Sequence, residues 1–226
     1  MGTADRIERE RRVKRSRILD AARDLFVERG VEAVTLREIA QRIEYSTTAI
    51  YMQFADKAAL VEAMVTEDFA AFAAGLEATA AIADPVQRIR AMHVAYVDFA
   101  LAWPRHYQLL FLTPPATGAG KHADDPAGIE GYRVLFAAVE ECIGTGRFRS
   151  AIVDPHATAQ VVWASVHGLV SLLIVQGSHA QFRWRSRDVL GRASLDVTLT
   201  GLLRTAEDAP APTRAAPRVR RTPRRA

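Results

Sequence analysis

Apolar side chains recur at three- and four-residue spacing along most of the chain, which is the period of a helix packed on one side. The clearest stripe is formed by Ile18, Ala22, Leu25 and Phe26, and Gly30 follows it as a candidate C-cap. No convincing run of alternating apolar and polar residues indicates a strand. The pattern therefore predicts an all-α fold.

Three short helices are predicted near the N-terminus. The second opens at Thr35, because "TLRE" is a capping box in which Thr35 and Glu38 each satisfy a backbone donor of the other. After a turn at Glu44–Tyr45, either Ser46 or Thr47 caps a third helix in the stretch "STTAIYMQF". The predicted apolar skeleton of this stretch is Ala49, Ile50, Met52 and Phe54.

Six further, mostly longer helices are predicted after these three. They cover about residues 56–79, 84–103, 106–112, 129–144, 155–176 and 187–206. Two of them begin at the Asp-Pro pairs of Asp84 and Asp154, where a cap precedes proline at the first helical position. Residues 113–128 are predicted as a loop. Because helix 155–176 is apolar on nearly every side, it needs cover on all faces, and a partner subunit would supply one.

The third helix is predicted to bind DNA. Two short helices joined by a tight turn and braced by a preceding helix can place the second one in the major groove, with its first side chains at the base edges. Thr47–Ala49 lie at that start, while Tyr51, Gln53 and Lys57 are placed to contact phosphates. The predicted DNA contacts are Thr35, Arg37, Ser46, Thr47, Thr48, Ala49, Tyr51, Gln53 and Lys57.

The stretch "ILDAARDLFVERGVEAVTLREIAQRIEYSTTAIYMQFADKAAL" resembles the DNA-binding domain of the tetracycline-repressor (TetR) family of transcriptional regulators. The resemblance covers about residues 12–72, with the helix-turn-helix motif at 35–54. Glu44 departs from the family pattern, which usually has Gly in the turn, and Gln53 stands where His is usual. If the turn needs a left-handed backbone, Glu44 is strained by about 1–2 kcal/mol relative to Gly; otherwise the turn has another geometry.

A second motif, "WASVHGLVSL" at residues 163–172, is similar to the Trp-x-x-x-His-Gly (WHG) motif of one TetR subgroup. The resemblance implies an all-helical ligand-binding and dimerisation domain, placed at 84–206, in which the last two helices of each subunit form a four-helix bundle. Together with the helix at 56–79, six helices then follow the three of the DNA-binding domain. A mostly apolar, aromatic lining predicts a small hydrophobic or aromatic effector. The candidate ligand contacts are Tyr96, Phe99, Trp103, Tyr107, Phe111, Phe136, Trp163 and His167.

Basic ends flank a body of nearly balanced charge in a chain whose formal net charge is +4. Residues 1–11 are predicted as a basic arm and residues 207–226 as a disordered Arg- and Pro-rich tail. Such ends are typical either of arms that reach for a polyanion or of solvated tails. The single cysteine, Cys142, excludes an internal disulfide, and no signal peptide or run of about 20 apolar residues is evident. We expect a cytoplasmic protein without membrane contact.

No constellation of residues predicts catalysis. The six histidines lack metal-ligand spacing, and neither a Gly-rich phosphate loop nor a Gly-x-Ser-x-Gly nucleophile occurs, so we expect no metal, no cofactor and no enzymatic activity. The resulting hypothesis is a homodimeric, ligand-responsive repressor of a pseudo-palindromic double-stranded DNA operator. Two alternatives stay open: a helical small-molecule-processing enzyme with a vestigial DNA-binding head, and a non-specific DNA-binding protein driven by the arginine-rich tails.

Overall fold

Helices account for nearly all of the regular structure in residues 3–112 and 126–205, which the computed structural model describes. They are α1 (Thr3–Arg29), α2 (Leu36–Arg42), α3 (Thr47–Tyr51), α4 (Lys57–Glu77), α5 (Pro85–Ala102), α6 (Pro104–Tyr107), α7 (Pro126–Gly144), α8 (Pro155–Gln176) and α9 (Arg187–Leu202). A π-helical turn at Gln108–Leu112 continues α6. In these residues the sole β-bridge joins Phe148 to Leu203. The predicted all-α class is confirmed.

Side-chain caps set the helix starts that the sequence predicted. Thr35 accepts a hydrogen bond from the Glu38 amide, while the Glu38 carboxylate accepts one from the Thr35 amide at 2.8 Å, which completes the capping box. Ser46 caps α3, and the Asp84 and Asp154 carboxylates cap α5 and α8 with proline next in the chain. These short-range bonds fix the chain direction at each turn.

The first helix is longer than its apolar stripe. It begins at Thr3, so the segment predicted as a basic arm, 1–11, is helical where it is described. Arginine and glutamate favour helix and no Gly or Pro interrupts residues 3–29, so the backbone continues as a helix beyond the part that packs on the core. The predicted domain bounds of 12–72 and 84–206 stay predictions.

Prolines shift two further boundaries. α6 begins at Pro104, two residues before the predicted start, and α7 begins at Pro126 rather than at Ile129. Proline suits the first helical turn because its missing N–H would have no partner there. The predicted tail at 207–226 and most of the predicted loop at 113–128 lie outside the described residues.

Two apolar cores are joined by α4. The first half of this helix contributes Leu60 and Met64 to a head core that it shares with α1, α2 and α3. Its second half contributes Phe72 and Leu76 to a larger core with α5, α7, α8 and α9. One continuous helix therefore connects the head core with the centre of the second core.

A buried ion pair holds α1 against α4 between these cores. The Arg23 guanidinium donates to both carboxylate oxygens of Asp68, with Nε to Oδ2 at 3.0 Å and Nη2 to Oδ1 at 2.8 Å. Both side chains are buried, with 6% and 3% of their surface exposed. Because two parallel hydrogen bonds satisfy the two planar groups, this contact fixes both distance and orientation.

Three consecutive residues of α6 connect neighbouring parts of the fold. Arg105 pairs with Asp24 on α1 at 3.2 Å. The next residue, His106, contacts Asp68 Oδ1 through Nδ1 at 2.9 Å. The third, Tyr107, is fully buried and hydrogen-bonds within the second core. This short helix thus contacts both the head and the second core.

Candidate DNA-binding face and ligand cavity

The third helix is anchored by two side chains and presents others outward. Ile50 and Phe54 are buried in the head core, as their four-residue spacing predicted. Thr48, Tyr51 and Met52 are exposed. The prediction that Met52 belongs to the apolar skeleton is wrong: it is 76% exposed, because two residues turn a helix by about 200° and carry it away from the side of Ile50.

The other predicted DNA contacts surround this outward face unevenly. Thr35 and Arg37 at the start of α2 are exposed, whereas Thr47, Ala49 and Gln53 are half-buried. The Ser46 hydroxyl is exposed but accepts a hydrogen bond from the Ala49 amide at 3.2 Å, so its first role is to cap α3. Sequence reasoning assigned Met52 no outward role, yet it lies on this face.

Two geometries were expected for the turn before α3, and the structure has the strained one, with a left-handed backbone at Glu44. Glu44 has φ = 59°, in the left-handed region that favours glycine, at a cost of about 1–2 kcal/mol. Its neighbour Tyr45 is held by Arg17, which donates to the phenolic oxygen at 3.3 Å and has its guanidinium carbon 5.3 Å from the ring centroid. The turn therefore keeps the shape that a glycine would allow.

Lys57 does not lie as the sequence predicted. Its ammonium group donates to the carbonyl oxygens of Val31 at 3.1 Å, Val34 at 3.3 Å and Glu32 at 3.5 Å. A lysine has three N–H donors, and three carbonyls between α1 and α2 use them. In this arrangement Lys57 ties the α1–α2 connection to α4, and its N–H donors are directed to backbone carbonyls.

The variant Lys57→Met therefore separates a role of Lys57 in stability from a role in binding the DNA backbone. We expect it to lower the free energy of unfolding by about 1–3 kcal/mol, because carbonyls in the connection lose their partner. The slope of log K against log salt for DNA binding should stay unchanged, since no phosphate contact is lost. Urea unfolding and DNA titrations over a salt series measure both quantities.

The matched control is Arg37→Met, at an exposed cation on α2. This change should leave stability almost unchanged and lower the magnitude of the salt slope by about 0.9 if Arg37 contacts one phosphate. A reduced slope in Lys57→Met instead would assign Lys57 to the DNA backbone.

An apolar cavity of about 430 Å³ lies among α4, α5, α7 and α8. A volume of this size suits a small organic ligand. Its lining is formed by Phe69, Phe72, Leu76, Ile89, Met92, His93, Tyr96, Phe111, Ile129, Gly131, Tyr132, Leu135, Val162, Trp163 and Val166. Three of these come from α4, the helix that also forms the head core.

A hydrogen-bonded group on one side of the cavity, the tyrosine–histidine cluster, consists of Tyr96, Tyr107, Trp163 and His167. Trp163 Nε1 donates to Tyr96 Oη at 3.2 Å, and the hydroxyls of Tyr96 and Tyr107 are 3.0 Å apart. Tyr107 Oη lies 2.6 Å from His167 Nδ1. Tyr96 and Trp163 line the cavity, while Tyr107 and His167 support them from behind.

A chain of donors and acceptors satisfies the two hydroxyls and the Trp163 N–H of this cluster. If His167 Nδ1 accepts from Tyr107, then Tyr107 accepts from Tyr96 and Tyr96 accepts from Trp163, so the protons of Trp163 and of both hydroxyls have acceptors, and the ring proton of His167 is on Nε2. A proton on Nδ1 would leave one hydroxyl proton without an acceptor inside the cluster. Burial lowers the pKa of His167 and raises the pKa of both tyrosines, which keeps all these groups neutral at pH 7.

The structure brings some of the predicted ligand residues to the cavity and not others. Tyr96, Phe111 and Trp163 line it. Phe99 packs on Phe72 with ring centroids 5.1 Å apart, and Phe136 packs on His156 at 4.5 Å. Trp103 is 55% exposed at the end of α5. Sequence reasoning missed the α4 residues Phe69, Phe72 and Leu76, and it missed Tyr132 on α7.

Comparison with known protein families identifies both the N-terminal segment and the larger C-terminal part of the chain. Residues 18–64 match the bacterial regulatory proteins of the tetR family, and residues 89–202 match the tetracyclin repressor-like C-terminal domain. The second match alone spans just over half of the chain. The chain belongs to the TetR family of transcriptional regulators. The predicted family is confirmed, whereas the WHG subgroup stays a prediction.

Individual TetR relatives extend this comparison. The transcriptional activator FasR of Mycolicibacterium smegmatis is 32% identical over 108 residues, which are 47% of this chain and 48% of FasR. The chain thus spans about half the length of this curated relative.

Two solved structures share the fold over most of their length. The regulator PfmR of Thermus thermophilus matches at 22% identity and a TM-score of 0.68, covering 84% of this chain and 97% of PfmR. AibR, solved in complex with isovaleryl coenzyme A and operator DNA, matches at 21% identity and a TM-score of 0.69 over 81% of this chain and 97% of AibR.

Proposed function

We propose that this TetR-family chain is a ligand-responsive regulator that binds a pseudo-palindromic operator as a homodimer and is released from it by a small, mostly apolar molecule. The observation that carries the proposal is the double role of α4. Leu60 and Met64 pack in the head, whereas Phe72 and Leu76 line the cavity on the same helix. A ligand that favours another position of α4 would move the head with it.

The α6 helix offers a second connection. The ring of Phe111 lines the cavity and lies 4.9 Å from that of Tyr107, whose neighbour His106 contacts Asp68. Asp68 in turn pairs with Arg23 on α1. A ligand pressing on this segment would therefore act on the head through α1 as well as through α4. AibR, whose structure holds isovaleryl coenzyme A and DNA, is a precedent for an acyl ligand in this fold.

The homodimer is proposed from the outward surface of α8 and α9. By length and composition, α8 alone among the described helices could cross a membrane. Only 28% of its most apolar window is buried within one chain, so most of this window needs cover from elsewhere. Val161, Leu172 and Val175 on α8 and Val197 on α9 are exposed. In a DNA-binding protein of the cytoplasm, this surface fits a second copy of the chain better than a bilayer.

We propose no catalytic role for the chain. Cys142 is buried, and burial raises the pKa of its thiol to about 11, so it stays protonated and unreactive at pH 7. In the described part of the chain no three His, Cys, Asp or Glu side chains converge on a metal site.

The test begins with DNA selected by the full chain from a random-sequence duplex library. Binding of the selected duplex is then followed by fluorescence anisotropy while small apolar molecules are added. The proposal predicts a palindromic selected sequence and ligand-dependent release. Equal affinity for selected and random duplexes would favour the non-specific alternative driven by the arginine-rich tails.

Thr48→Val is expected to change the sequence that the selection returns. Thr48 is exposed near the start of α3, where a hydroxyl can exchange hydrogen bonds with a base. Replacing it with an isosteric methyl should cost about 1–3 kcal/mol at the contacted base pair and little elsewhere. An unchanged profile from repeated selection would remove Thr48 from base reading.

A further inference from the structure

Few polar side chains line the cavity, so they decide which ligands it accepts. The buried Tyr132 Oη has no hydrogen-bond partner among the described residues. Tyr132 lines the cavity. A buried hydroxyl without a partner has lost its hydrogen bonds to water, and an oxygen on a bound molecule would restore one of them.

The polar side-chain hydrogens of the other described lining residues are already in use. In the tyrosine–histidine cluster, the protons of Trp163, Tyr96 and Tyr107 have acceptors inside the cluster. His93 Nε2 lies 3.0 Å from the Gly191 carbonyl oxygen, which can only accept, so Nε2 carries a proton and donates it. Burial lowers the pKa of His93 and keeps the ring neutral. Among the described lining residues, Tyr132 is therefore the donor that a ligand can use.

Charge is the second constraint. The described residues that line the cavity include no Asp, Glu, Lys or Arg. A carboxylate or phosphate placed there would lose its hydration without gaining a counter-charge, which costs several kcal/mol in other proteins. A ketone, ester or alcohol oxygen loses far less and needs only one donor.

We propose that the cavity selects neutral, mostly apolar molecules with a single carbonyl or hydroxyl oxygen, which accepts a hydrogen bond from Tyr132 Oη. This inference rests on the proposed function only in taking the cavity as the effector site. It adds the polarity of the effector and the residue that recognises it.

Three probes of similar shape test the inference: butylbenzene, its ketone analogue benzylacetone and the carboxylate hydrocinnamate. Calorimetric titration of the full chain without DNA gives the affinity of each. We expect hydrocinnamate to bind at least about 100-fold more weakly than benzylacetone, because its charge has no partner. Tyr132→Phe should weaken benzylacetone about fivefold and leave butylbenzene unchanged, because only the ketone uses the hydroxyl.

The control variant is Tyr45→Phe, which removes a phenolic oxygen in the head, far from the cavity. It should alter neither the affinity for benzylacetone nor the affinity for butylbenzene. Hydrocinnamate binding as tightly as benzylacetone would overturn the inference. So would equal losses for both neutral probes in Tyr132→Phe, or failure of all three probes to bind up to their solubility limits. Probes that bind as expected without releasing DNA would count against the proposed release and leave the polarity of the site standing.

Discussion

Asp68→Asn is expected to lower the free energy of unfolding by about 3–5 kcal/mol, a large share of the 5–15 kcal/mol typical of a folded domain. The substitution keeps the shape of the side chain and removes its charge. Arg23, with 6% of its side chain exposed, would then keep only the exposed carboxylate of Asp20, at 2.8 Å, as a counter-charge. Urea unfolding followed by circular dichroism measures the loss.

The neighbouring residue supplies a matched control. Glu67 also pairs with an arginine of α1, Arg15 at 2.8 Å, but both side chains are substantially exposed. Because solvent screens such a pair, Glu67→Gln should cost at most about 1 kcal/mol.

A double variant separates the cost of leaving the buried Arg23 charge without its partner from the contribution of the pair itself. Arg23→Met with Asp68→Leu removes both charges together, and we expect it to recover most of the stability lost in Asp68→Asn. Equal costs for Asp68→Asn and Glu67→Gln would show that burial does not strengthen the Arg23–Asp68 contact.

The sequence predicted much of the fold because the signals that set it are local. A capping box at Thr35, Asp-Pro pairs at Asp84 and Asp154, and the glycine at position 30 each act within a few residues of chain. Periodicity then assigned Ile50 and Phe54 to the core. Such signals determine which face of a helix is buried, but they do not determine which neighbour covers it.

The site required contacts between residues far apart in sequence. The sequence predicted Lys57 as a phosphate contact, but in the structure its ammonium group lies against backbone carbonyls more than 20 residues earlier in the chain. Phe69 and Phe72 lie on the helix predicted over 56–79, and only packing brings them to the cavity. Phe136 lies one helical turn after the cavity residue Tyr132, but its ring packs on His156 instead. Aromatic periodicity therefore placed most of these side chains against the second core without identifying the lining, and it failed for Trp103, which is exposed.

Charges placed on the outward surface of α8 and α9 are expected to abolish the proposed dimer and with it most operator affinity. Leu172 is 53% exposed and Val197 is 75% exposed, so Leu172→Asp with Val197→Asp should barely alter the fold of one chain. At the proposed interface, two unpaired carboxylates would be buried in each subunit. Sedimentation velocity should show monomers, and affinity for the selected operator should fall by about 10²–10⁴ because the two heads no longer bind together.

Val153→Asp is the control, since Val153 is an equally exposed valine (73%) in the connection before α8. It should leave both mass and operator affinity unchanged. Affinity for a duplex that carries a single half-site should also be the same in the double variant as in the unmodified chain, because each head keeps its own contacts. A double variant that remains dimeric would place the interface elsewhere, whereas a monomer with full operator affinity would show that one head is sufficient.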